Sequence, residues 1–225
     1  MKKTIIAASI VSFLAVSCTN SDTKSGETGA KISSSDTASA AVADGSSAEN
    51  TAAPLDSATI QKNWISYMTP GKEHALMASW NGDWLGTVTM WHAPGAPPET
   101  SKSTASNKMV MGGRYQVGTH TGSIMGQPFE GMSTLAFDNA KKVFVSTWVD
   151  NVGTGVMKLE GPWDEASKTM SLSGKCVDPT RGDGSEMVIR ETLKMIDDKN
   201  QLLEMYGPDP DGKEFKMMEI KYTRQ

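Results

Sequence analysis

The chain has 225 residues, with 22 basic against 26 acidic side chains and a formal net charge of −4. That balance, with no basic stripe interleaved with aromatics, excludes a nucleic-acid-binding surface. Two cysteines exclude a disulfide-stapled scaffold, and the length suits one domain with one core.

The first predicted element is an export signal over residues 1–17. Lys2 and Lys3 precede an apolar run from Thr4 to Val16, which is of signal-peptide length and too short to span a bilayer as a helix. A charged start followed by a polar tail argues against a buried core helix. Ala15, Val16 and Ser17 before Cys18 resemble a bacterial lipobox, with Ala15 where Leu is usual. The resemblance implies an acylated cysteine, and at about 0.8 kcal/mol per buried methylene its chains make a durable membrane anchor. Thr19 follows Cys18, with no Asp to suggest inner-membrane retention, so the expectation is a lipoprotein of the cell envelope on the outer membrane. The alternative is an ordinary cysteine beyond a plain signal-peptidase site. With Cys18 acylated, Cys176 is a lone thiol on a strand; a Cys18–Cys176 disulfide would tie the fold to a floppy tail. Without Lys2 and Lys3 the balance is 20 basic to 26 acidic, a net of −6.

Residues 18–57 are mostly Ser, Thr, Ala, Gly, Asp and Glu without one aromatic, and Ile32, Val42 and Leu55 show no period. Such a segment buries too little surface to offset its ordering entropy. It reads as a disordered tether whose ends lie about 35 Å apart, holding the folded domain, residues 58–225, off a membrane.

The domain opens with two short predicted helices, "ATIQKNWISYM" and "PGKEHALMASW", the second with Pro70 as its start. After Trp84 the pattern becomes strands: "WLGTVTMWH", "KMVMGGRYQVGTH", "FEGMSTLAFD", "KKVFVSTWVD", "GTGVMKLEG", "TMSLSGKCVD", "EMVIRETLKMI", "QLLEMYG" and "EFKMMEIKYTR". Met170, Leu172, Gly174 and Cys176 alternate with Ser171, Ser173, Lys175 and Val177, the period of a half-buried strand. The connections, such as "DNAKK", "DDKNQ" and "GPDPDGKE", are too short for crossover helices, so neighbouring strands are antiparallel. A mainly β, up-and-down antiparallel barrel of about nine or ten strands removes the exposed edges, and a β-sandwich is the alternative.

The motifs "WLGTVTMWHAPGAPPETS", "MGGRYQ", "GSIMGQPFEGMSTLAFDNAKKVFVSTWVDNVGTGVM", "EGPWDEASKTMSLSGKCVDP" and "PDGKEFKMMEIKYTR" together resemble the bacterial domain-of-unknown-function family 1579. "GDWLG" is similar to the strand opening of calycin barrels such as lipocalins. That resemblance implies that Gly82 and Trp84 close one barrel end, under a basic residue. Arg224 is the candidate cover by cation–π packing, with Arg190 and Arg114 as alternatives.

If Trp84 points inward, alternation sends Val88, Met90 and His92 the same way and Trp91 outward, which makes Val88, Met90 and His92 the candidate ligand-lining residues. "APGAPP" then ends the strand. The fifteen methionines suit an adaptable core or a pocket for a small hydrophobic ligand, more than a copper(I) site. His74, His92 and His120 lack metal-ligand spacing, so no metal is expected. No cofactor is expected either; haem on a histidine is kept as an alternative that only the likeness to nitrobindin-like barrels implies. There is no GxSxG or GxGxxG context, Asp138, Asp150, Asp178 and Asp209 fall at turns, and Arg190 and Glu191 lie on opposite strand faces. No catalytic residue emerges. The functional expectation is a lipid-anchored binder of a small hydrophobic molecule. The alternatives are a fully packed envelope protein acting through its surface, with protein partners unspecified, and an enzymatic or haem-binding barrel.

Overall fold

The computed structural model describes residues 54–225, so the expected signal peptide, Cys18 and most of the tether lie outside the described residues. Two helices, α1 (Ser57–Met68) and α2 (Lys72–Ser79), precede eleven strands. These are β1 (Gly82–Met90), β2 (Glu99–Val110), β3 (Tyr115–Ile124), β4 (Gln127–Asp138), β5 (Val143–Asp150), β6 (Met157–Gly161), β7 (Trp163–Asp164), β8 (Thr169–Val177), β9 (Glu186–Met195), β10 (Asn200–Pro208) and β11 (Glu214–Arg224). Except for β6 and β7, each strand pairs antiparallel with its sequence neighbours, and β11 pairs back onto β1. Pro162 interrupts one stave between β6 and β7, and both pieces pair with β8, which closes the ring. The result is a ten-stave, up-and-down barrel with no free edge.

Along each stave, alternation sends one set of side chains inward. On β1 these are Trp84, Gly86, Val88 and Met90, while Leu85 is exposed. On β9, Ile189, Glu191 and Leu193 share the inner face, between the outer-face Arg190, Thr192 and Lys194. The run "KMVMGGRYQVGTH" is the end of β2, a hairpin turn and the start of β3. Met111, Gly112 and Gly113 all have positive φ, which reverses the chain there.

The helices sit at the end of the barrel where β1 begins. α1 is capped by Asp56, whose carboxylate accepts from the Thr59 N–H at 2.9 Å. Pro70 lies before α2 and does not start it; Gly71 is the N-cap, and its N–H donates to Nδ1 of the buried His74 at 3.0 Å. α2 sends Met77, fully buried, and Trp80 into the barrel end against Leu135, Phe144, Leu159 and Met170. This is the main core; it starts beneath the helices and runs on through Leu172 and Ile189, with Met187 and Met205 packed against it.

Candidate ligand-binding interior

The end beneath α2 is built around Trp84. Its ring is 2% exposed, and its Nε1–H donates to the Trp80 carbonyl at 3.2 Å. Strand pairing sets Trp84 opposite Arg224, and the Arg224 guanidinium carbon lies 4.2 Å from the ring centroid. The same guanidinium donates to the carbonyls of Ser79 at 2.8 Å, Asp198 at 3.0 Å and Asn81. One side chain thereby ties the last strand to the end of α2 and to the β9–β10 turn. Gly82 has φ +121°, and a Cβ there would stand 3.0 Å from an Arg224 nitrogen, so this position takes only glycine without strain.

The other two arginines are engaged elsewhere. Arg190 stacks over Tyr206 at 3.8 Å and forms a two-pronged pair with Glu214. Arg114 donates to the Met68 and Met111 carbonyls.

Halfway along the barrel the interior turns polar. His120 projects inward from β3; its Nε2 is 3.2 Å from Ser133 Oγ, and its ring meets Trp148 edge-on at 4.9 Å. Burial holds its imidazole down at about 4, so it is neutral at pH 7. Trp148 stacks on Phe129 at 6.2 Å and donates from Nε1 to Asp150 at 2.7 Å. Its ring lies against Gly131, where an added Cβ would clash with it.

On the facing side of the ring, Glu191 stands among apolar neighbours: Ile189 and Leu193 on its own strand, with Leu172 and Met205 opposite it in the register. Burial pushes its carboxyl up to about 7, and it raises the buried hydroxyl of Tyr222 in turn, after burial itself. Neither side chain makes a hydrogen bond or ion pair among the described residues. Cys176 is a free, half-buried inward thiol, raised by burial and then by the nearby Asp178 and Glu186 charges.

Toward the far end, Val88, Met90, Met187, Met205 and Met218 all keep part of their surface accessible. Val88 and Met90 share the inward face of β1 with Trp84, but the alternation does not reach His92. β1 ends at Met90, and His92 lies on the exposed loop beyond it, 3.4 Å from Glu99. Trp91 points outward beneath Lys216 and lines an outer cleft of about 250 Å3 with Pro94 and Phe215. A second open cleft, about 280 Å3, lies at the rim between β4 and β5, beside Gly131 and Asp150.

Among the described residues no three metal-ligating side chains cluster. Of the histidines only His120 stands inside the barrel, and its Nε2 is engaged by Ser133 while its ring is wedged against Trp148. This arrangement does not fit an axial haem ligand. Of the interior residues His120, Trp148, Glu191 and Tyr222, spacing alone sets His120 and Glu191 aside and gives no signal for Trp148 or Tyr222. For Glu191 a signal exists, because alternation with Ile189 and Leu193 places it on an apolar face.

A crystal structure of Rv2717c from M. tuberculosis is similar in fold, with a TM-score of 0.52 at 13% identity, covering 70% of this chain and 99% of that one. A redesigned β-barrel matches with a TM-score of 0.34 at 14% identity, covering 66% of this chain and 94% of its own. A DUF3598-family protein of unknown function from Nostoc punctiforme also gives 0.34, at 12% identity, covering 66% of this chain and 49% of its own. Among curated proteins, none matches. The family model described as "Protein of unknown function (DUF1579)" matches residues 69–224, which include every strand of the barrel, and the chain therefore belongs to that family.

Proposed function

We propose that this barrel binds a small, largely apolar molecule in the half of its interior away from α2, on a chain that is exported and held to a membrane through acylated Cys18. The carrying observation is the contrast along β1: Trp84 is sealed, whereas Val88 and Met90, inward on the same strand, keep accessible surface. Flexible thioethers from Met187, Met205 and Met218 make that half adaptable to a flat or chain-like ligand. The polar belt of His120 and Glu191 beneath it would meet the ligand's polar end.

Titration with an apolar fluorophore, with native mass spectrometry of gently purified protein, tests the binding. Saturable binding that Val88→Trp abolishes without lowering Tm is the expected result. No co-purified molecule and no probe binding would sink the reading. The anchor is tested separately by palmitate labelling, which Cys18→Ser should abolish; undiminished label in that variant would refute it.

A second reading, a packed barrel acting through its surface, is favoured by one observation: open clefts lie beside Trp91 and Phe215 and at the β4–β5 rim. Probe binding that ignores Val88→Trp would support it.

A further inference from the structure

α1 is a folded helix with no buried residue. Ile60, Trp64, Tyr67 and Met68 follow the i, i+4, i+7, i+8 spacing of one helical face, and they are 44, 60, 51 and 49% exposed. Ile65 and Leu55 flank the stripe, also exposed. The opposite face carries Thr59, Lys62 and Ser66, and no acidic residue lies within the helix. The stripe is therefore left exposed, although packing it against the barrel would have buried four large side chains.

What α1 does give the barrel is its C-terminal end. Asn139 Nδ2, in the β4–β5 turn, donates to the carbonyls of Ser66, Tyr67 and Thr69 at 3.3, 3.0 and 2.9 Å. Arg114 donates to the Met68 carbonyl at 2.9 Å and to that of Met111 at 3.2 Å. The same contact brings Met111, 74% exposed, beside the end of the stripe. The helix is thus clamped to the closed end of the barrel by its backbone, while its apolar face is left unpartnered.

We propose that α1 lies in the surface of a lipid bilayer, with Ile60, Trp64, Tyr67 and Met68 inserted at the headgroup–acyl boundary, so that the closed barrel end faces the membrane and the mouth faces away. A helix of 12 residues is too short to cross, and no described helix is long and apolar enough to do so. An apolar stripe that carries Trp and Tyr, with a lysine on the polar face, is the composition of a helix lying in the interface plane. The bilayer is chosen over other occupants by where the chain runs. Residues 1–53 join this helix at its N-terminus, and the leader and lipobox-like Cys18 lie in that stretch. The chain outside the described domain therefore enters at the same barrel end as the stripe. With an acidic chain and only Lys62 charged on the helix, attraction comes from apolar insertion rather than from charge. The contact does not require an acyl chain on Cys18.

The test uses the chain from residue 18 carrying Cys18→Ser, so that neither leader nor acyl group contributes. It is floated with phosphatidylcholine vesicles at low and high salt. Expected is co-flotation that is insensitive to salt, and a drop of about tenfold or more in partitioning for Ile60→Glu/Trp64→Glu, whose circular dichroism stays unchanged because both side chains are exposed. Trp64→Phe should keep most of the binding. No flotation, or flotation that the double variant leaves intact, overturns the proposal. So does a concentration-dependent dimer that the double variant dissolves, since the stripe would then belong to a second copy.

Discussion

The two ends of this barrel solve the problem of filling a ten-stave ring in opposite ways. Near α2 the interior holds large, sealed groups: Trp84, Phe144, Leu159 and Met77, each 2% exposed or less, with a helix laid across the opening. Toward the mouth the inward positions carry Val88, Met90, Met187, Met205 and Met218, none sealed, and no helix covers them. The fold is the same in both halves, and so is the alternation. The difference is side-chain volume and stiffness, which gives one end to stability and leaves the other free to change shape. The polar groups of His120 and Glu191 lie between the two, and Ile189, one inward position mouthward of Glu191, is still sealed at 2% exposed.

Truncation is the most direct way to break this comparison. Trp84→Ala should destabilise the fold by about 3–5 kcal/mol, since it empties a closed site and strips Arg224 of its ring. Met90→Ala, on the same face of the same strand, should cost about 1 kcal/mol or less, because the residue already keeps accessible surface. Thermal or urea denaturation reads both, and equal losses would show that the mouth is as tightly packed as the closed end.

The belt can be separated by pH. Glu191 holds its proton more tightly when folded, so its contribution is complete below about 4.5 and is lost as pH rises through about 7. His120 is shifted the other way: its contribution is present above 6.5 and is lost as pH falls toward about 4. The two windows overlap and their slopes oppose each other, so together they leave stability nearly flat between about pH 4.5 and 6.5. Glu191→Gln should uncover a profile that rises with pH across that range, and His120→Gln one that falls, each limb amounting to about 3 kcal/mol at most. Read as differences from the unsubstituted chain, the curves are free of the surface aspartates, which both share. Two variants with the same slope would show that neither group is buried in the folded protein.

The readable part of the sequence was the part where alternation contrasts apolar with polar. "TMSLSGKCVD" and "EMVIRETLKMI" announce β8 and β9 because Met, Leu and Ile alternate with Ser, Lys and Arg. The placement of Trp84 on the inner face beside Val88 and Met90 follows from the same rule. Most of β2 was silent, because its inward residues Ser101, Ser103, Ala105 and Asn107 are as small and polar as its outward ones. The same holds for β3, where His120 sits between Gly118 and Gly122 on the inner face. Those glycines leave room for neighbouring side chains, which is a tertiary demand with no period of its own. His92 was misplaced for a related reason: alternation holds only while the strand lasts, and β1 stops at Met90, where the Pro-rich loop begins.

A further, smaller effect than those of Trp84 and the pH profile concerns the lock on the closed end. Arg224 does two things at once: it places a cation over Trp84, and its planar fork reaches carbonyls in two separate segments, the end of α2 and the β9–β10 turn. Arg224→Lys keeps the charge but cannot reach both segments, because an ammonium is a single point on a flexible stem. The loss should be about 1–2 kcal/mol, the worth of one or two charge-assisted hydrogen bonds, and well short of Trp84→Ala. Hydrogen exchange should locate it: the amides of α2 and of residues near Asp198 should lose protection, while those around Met90 and Met218 keep theirs. Loss spread evenly around the barrel would mean that the closed end and the mouth unfold as one unit, and the line between a structural half and an adaptable half would then exist in packing but not in dynamics.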